Sequence, residues 1–145
     1  MCRWLAAVLW CMAGLLASPH AQAACGDGLP AATRQEVRSN EAVLMFAPVA
    51  GPITVGQHFS LDVRLCSRVD VPAANTKLRL LKVDADMPAH RHGMNYLAAV
   101  RALGAGRFRA DGLMLHMPGV WRFSFDVEMG ASTPPLRLTH EILLE

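Results

Sequence analysis

Between His58 and Cys66 the apolar residues Phe59, Leu61, Val63 and Leu65 alternate with Ser60, Asp62 and Arg64. A period of two puts successive side chains on opposite faces of an extended chain, so this run predicts a strand with one buried face. The same period returns in Trp121, Phe123, Phe125 and Val127 against Arg122, Ser124 and Asp126, and in Leu136, Leu138, His140, Ile142 and Leu144 on one parity. Further strand-like runs are Ala42 to Ala47, ended by Pro48 and Gly51-Pro52, and Lys77 to Val83, where the parity slips at Leu80-Leu81. Tyr96 to Ala102 is another, closed by Gly104-Ala105-Gly106. The slip at Leu80-Leu81 reads as a bulge or as burial on both faces. Arg107 to Ala110 and Leu113 to Leu115 flank Asp111-Gly112, which reads as a tight hairpin or as one bulged strand.

About seven short strands, no helical period of any length and no internal repeat predict an all-β domain over residues 41–145. The expected architecture is an immunoglobulin-like antiparallel β-sandwich. Antibody domains place a tryptophan between two cysteines, whereas Trp121 follows both Cys25 and Cys66, so the likeness is architectural. In the N-terminal segment, residues 24–40, Thr33 to Arg38 predicts one or two helical turns.

The first residues follow another logic. Met1-Cys2-Arg3 is a short basic start, Trp4 to Leu16 is almost unbroken apolar, and Ala21-Gln22-Ala23 offers small residues for cleavage after Ser18-Pro19-His20. Residues 1–23 therefore read as a secretory signal peptide cut before Ala24, which predicts a periplasmic or secreted protein. The apolar run is short for a bilayer span, and no later stretch is long and uncharged enough, so no membrane span is expected after cleavage. Lipidation of Cys25 is the alternative, although Gln22 stands where a lipobox wants Leu. The formal charge of +2 falls to about +1 without Arg3, which gives no electrostatic case for nucleic acid or an anionic membrane.

Cys2 and Cys11 lie within the signal, leaving Cys25 and Cys66, for which an oxidising compartment permits one disulfide. Closing a loop of about 40 residues stabilises by about 3–4 kcal/mol in the chain-entropy model. The rival reading is a free Cys25 thiol acting as a metal ligand, which no CxxC or Cys-His spacing supports.

The candidate chemistry lies in Met87-Pro88-Ala89-His90-Arg91-His92-Gly93-Met94, with His116-Met117-Pro118-Gly119 about one hairpin later. Imidazole and thioether together are a soft nitrogen-and-sulfur donor set that suits copper, Cu(I) ahead of Cu(II). In an extended segment His90, His92 and Met94 share a face, with Arg91 opposite. The Pro118-Gly119 turn brings His116 or Met117 beside them if both loops leave the same end of the sandwich. The candidate metal ligands are thus His90, His92, Met94, His116, Met117 and Met87. The plainer reading makes Met87 and Met117 caps of the core and lets the histidines bond loop carbonyls. Zinc is the weaker alternative, since it would draw a hard third ligand from Asp84 or Asp86. His140 lies on an apolar face and reads as a core histidine; His58 reads as solvated.

No GxSxG, HExxH or catalytic-looking cysteine pair occurs, so an enzyme is not expected. The expected function is an exported copper chaperone or scavenger that exchanges copper with an envelope protein. The alternative is a metal-free interaction module of the cell envelope. With a signal peptide ahead of them, the segments VGQHFSLDV, DADMPAHRHGMNY and GRFRADGLMLHMPGVWRFSFDV resemble the YtkA-like family of small exported β-sandwich domains, from about Pro52 onward. That family's usual loop is HGHG-like; here Arg91 stands between the histidines. The resemblance implies a sandwich fold and an association with copper handling and respiratory-oxidase assembly.

Overall fold

The computed structural model describes residues 25–68, 77–130 and 134–145. The expected signal peptide, residues 1–23, and its cleavage point before Ala24 lie outside the described residues. Among the described residues there is no helix. Nine strands follow one another: β1 (Gln35–Arg38), β2 (Ala42–Pro48), β3 (His58–Ser67), β4 (Arg79–Met87), β5 (His92–Gly93), β6 (Ala99–Gly104), β7 (Arg107–Met114), β8 (Gly119–Glu128) and β9 (Leu136–Leu144). They form two antiparallel sheets, ordered β1-β2-β3-β7-β6 and β5-β4-β8-β9. The expected all-β antiparallel sandwich is the architecture found.

The alternating runs land as their period requires. Leu61, Val63 and Leu65 on β3 and Trp121, Phe123, Phe125 and Val127 on β8 are all buried. The two inner faces meet in one cluster, where Phe46 of β2 packs against Phe123 and Phe125 with ring centroids 5.6 and 4.9 Å apart. Each large apolar side chain buried in that layer contributes about 1.5–3 kcal/mol. β2 is buried on its outer face too, because Leu29 and Cys25 of the N-terminal segment cover Val43, Met45 and Ala47. The Cys25–Cys66 disulfide ties that segment to the end of β3, so the reading of Cys25 as a free thiol ligand does not hold. Gly26, at φ +97°, lies directly against Met45 Sδ, where a Cβ would collide.

Three expectations change. The helical turns over Thr33 to Arg38 are not formed: Gln35–Arg38 pairs with Val43–Phe46 as a strand. The open edge of β2 offers unpaired backbone groups, and satisfying them outweighs a weak local helical preference. Seven strands become nine with β1 and the two-residue β5, and the run expected from Tyr96 pairs only from Ala99. Both open questions of parity are settled by register. Leu80 faces Val127 and Lys82 faces Asp126, leaving Leu81 as the extra, exposed residue of a bulge. Phe59 faces Leu113 and Leu61 faces Ala110, so Asp111 and Gly112 together oppose Ser60 in one bulged strand.

Candidate metal centre

β4 and β8 run antiparallel with Asp86 opposite Arg122, so the end of β4 and the start of β8 meet at one pole. β7 ends there as well, and residues 115–118 cross from the first sheet to the second. The two candidate segments therefore share one end of the sandwich.

β4 returns into β5 through Pro88-Ala89-His90-Arg91. The N–H groups of His90 and Arg91 both donate to the Met87 carbonyl, at 3.0 and 2.9 Å, and Arg91 sits at φ +55°. That left-handed residue breaks the alternation on which a common face for His90, His92 and Met94 depended. Met87 faces His92 and Asp86 faces Gly93 in register, and opposed residues of an antiparallel pair project to the same face. His92 thus shares the inner face with Met87, which is 1% exposed. Met94 donates its N–H to the Ala85 carbonyl at 3.0 Å and packs half-buried against the core two residues further on. His90 stands exposed on the turn.

The crossover supplies the other half. The His116 ring lies 5.2 Å from that of His92, centroid to centroid, and the His90 ring lies 5.8 Å from His92. Beneath them is Trp121, fully buried, whose indole N–H donates to the Met117 carbonyl at 2.9 Å. Its ring is 6.2 Å from His92 and 5.4 Å from His116, nearly perpendicular to both. Gly119, at φ +127°, makes room for the Met87 methyl; a Cβ there would come within 2.7 Å of it. Three of the expected ligands, His90, His92 and His116, are brought together as rings. Met87 lies in the core beside His92, Met94 shares the inner face with it, and Met117 is half-buried against the core with its carbonyl held by Trp121.

His92 and His116 are both half-exposed, yet His92 Nε2 and His116 Nδ1 are buried and have no hydrogen-bond partner among the described residues. His92 Nδ1 lies 3.4 Å from the His90 carbonyl oxygen. A backbone acceptor there favours the proton on Nδ1 and leaves a lone pair on Nε2, the arrangement common to metal-bound histidines. Leaving such a nitrogen buried without a partner costs about 1–3 kcal/mol.

The carboxylates considered for zinc are on the other side of the sheet. Lys82 donates to Asp84 at 2.7 Å, and Arg122 donates twice to Asp86, at 3.1 and 2.6 Å. Among the described residues no group of three His, Cys, Asp or Glu side chains is placed to hold a metal, so thioethers are the donors left beside the imidazoles. His140 packs edge-on against Phe46 at 5.5 Å, and burial lowers its pKa below the usual imidazole value. His58 is exposed, with its ring 4.8 Å from Tyr96. Sequence reasoning placed Trp121 only in the core; its closeness to Pro118-Gly119 was the signal that it also borders the site.

Comparison of the chain with protein-family models, with curated proteins and with solved structures found no match.

Proposed function

We propose that this pole binds a soft metal ion, Cu(I) ahead of Cu(II), and that the protein is an exported copper chaperone or scavenger. The observation that carries this reading is the pair of buried, unpartnered nitrogens, His92 Nε2 and His116 Nδ1. One ion joined to both would satisfy both. At metal–nitrogen bonds of about 2.0–2.1 Å two imidazoles on one ion have centroids up to about 6 Å apart, and the 5.2 Å separation of these rings lies within that reach. His90 from the turn and a thioether from Met87, Met94 or Met117 complete the donor set by rotamer change. Two imidazoles with thioethers, and with Asp84 and Asp86 turned away, suit Cu(I) better than zinc. Thioether donors exchange readily, which fits transfer to or from an envelope protein. The disulfide is compatible with export to a periplasmic or secreted location, and the YtkA-like resemblance points the same way.

The test is competition with a chromophoric Cu(I) chelator under ascorbate, which spares the disulfide. The wild-type protein takes up one Cu(I) per chain. His92→Ala and His116→Ala each lower the affinity by about 100-fold or more, given that losing even a group that only hydrogen-bonds a ligand costs about 10–100-fold. Unchanged affinity in the double variant would overturn the site and leave the metal-free interaction module in front. That second reading draws on Leu97, 87% exposed beside exposed Tyr96 on the connection from β5 to β6.

A further inference from the structure

We infer that Trp121 is a specificity-determining wall of this site, which holds the bound copper as Cu(I) by denying Cu(II) the additional ligands it needs; the inference rests on the copper reading above. The rings of His92, His116 and Trp121 form a triangle with centroid separations of 5.2, 5.4 and 6.2 Å. The two imidazoles are half-buried, their unpartnered nitrogens are fully buried, and both rings stand nearly perpendicular to the indole of the fully buried Trp121. An ion joining the two nitrogens lies beside the indole.

That placement has two consequences. Cu(II) prefers a tetragonal set of nitrogen and oxygen ligands, water included, whereas Cu(I) is content with few and soft donors. An indole filling the ion's buried side leaves no room there for water, and its π-system tolerates a weakly solvated monovalent cation. The wall is also fixed in place. The indole N–H is held by the Met117 carbonyl at 2.9 Å, directly after His116 in the chain, so the same short crossover that supplies a ligand also clamps the ring. Asp84 and Asp86, the nearest acidic residues on β4, are engaged by Lys82 and Arg122 on the outer face. They offer Cu(II) no oxygen donor on the inner side.

Trp121 is also a built-in reporter, because Trp4 and Trp10 fall in the expected signal peptide. In protein beginning at Ala24, Cu(I) added under ascorbate, or Ag(I) as a redox-silent substitute, quenches Trp121 emission with a 1:1 end point. In Trp121→Phe the ratio of Cu(I) to Cu(II) affinity falls by about tenfold, the scale of a desolvated cation–aromatic contact. Cu(I) binding that needs His92 and His116 but leaves Trp121 emission unaltered overturns the inference and keeps the copper site. A folded Trp121→Phe protein with an unaltered affinity ratio does the same. If Trp121→Phe does not fold, the emission experiment on the wild-type protein decides alone. A wild-type protein that binds neither copper ion overturns the copper reading and this inference with it.

Discussion

His92 and His116 each hold one ring nitrogen where solvent does not reach it and no described group bonds it. In the metal-free protein such an atom destabilises the fold by about 1–3 kcal/mol, so replacing the ring by an apolar one of similar shape removes a cost. His116→Phe is therefore expected to leave the metal-free protein at least as stable as wild type, measured by urea unfolding, while abolishing Cu(I) binding. A clear loss of stability would mean that His116 Nδ1 has a structural partner. The residue types and their spacing pointed to the histidines whose rings the fold brings near one another. The separation of His90 onto an exposed turn depended on Arg91 adopting a left-handed conformation, and which ring nitrogen is buried depended on packing between distant segments; no side-chain pattern encodes either.

The β7 bulge shows how an element is tuned by what opposes it. With Asp111 and Gly112 both facing Ser60, the Ser60 hydroxyl donates to Asp111 at 2.7 Å, and Arg101 donates to its other oxygen at 3.0 Å. The Ser60 hydrogen bond, followed by Arg101 and the charge of Arg109, holds the Asp111 carboxyl below its usual value. A carboxyl with a depressed folded-state pKa contributes stability that is present above its unfolded value, about 3.9, and is lost as pH falls through the lower folded value. Ser60→Ala removes the largest cause. The stability gap between wild type and Ser60→Ala is therefore expected to be constant near neutral pH and to shrink below about pH 4. A gap independent of pH, followed by denaturant unfolding from pH 7 to 3, would exclude this linkage. Parity marked the disturbance at Asp111-Gly112 and at Leu80-Leu81, but a strand's own sequence does not say whether a slip bends it or ends it; the partner strand's register does. The same holds for β1, which becomes a strand through the open edge of β2.

Across the whole molecule β3 sets the proposed metal site and the disulfide at opposite ends. His58 begins that strand near the pole of His92 and His116, and Cys66 near its other end joins Cys25. Ten residues of strand at about 3.3 Å each put roughly 30 Å between the two ends. The disulfide closes a separation of 41 residues, so replacing both cysteines by serine is expected to lower stability by about 3–4 kcal/mol. Cu(I) affinity of the folded variant should stay within about twofold of wild type, because distant sites with no shared partners act independently. A large fall in affinity at temperatures where the variant is folded would show that the poles are coupled.

Taken alone, the sequence determined what short-range periodicity and donor chemistry can carry: strands of period two, the buried faces of β3 and β8, one possible disulfide and a soft donor cluster in two loops. Those features depend on neighbours one to four residues away, or on simple counting. Only the tertiary structure decided that the hairpin of His90 and His92 and the crossover of His116 leave the same pole, with Trp121 between them and the core. It also turned Asp84 and Asp86 to the opposite face. The physical reason is that strand order and register arise from pairing and packing between segments far apart in the chain, and a one-residue change of register moves every side chain to the other face.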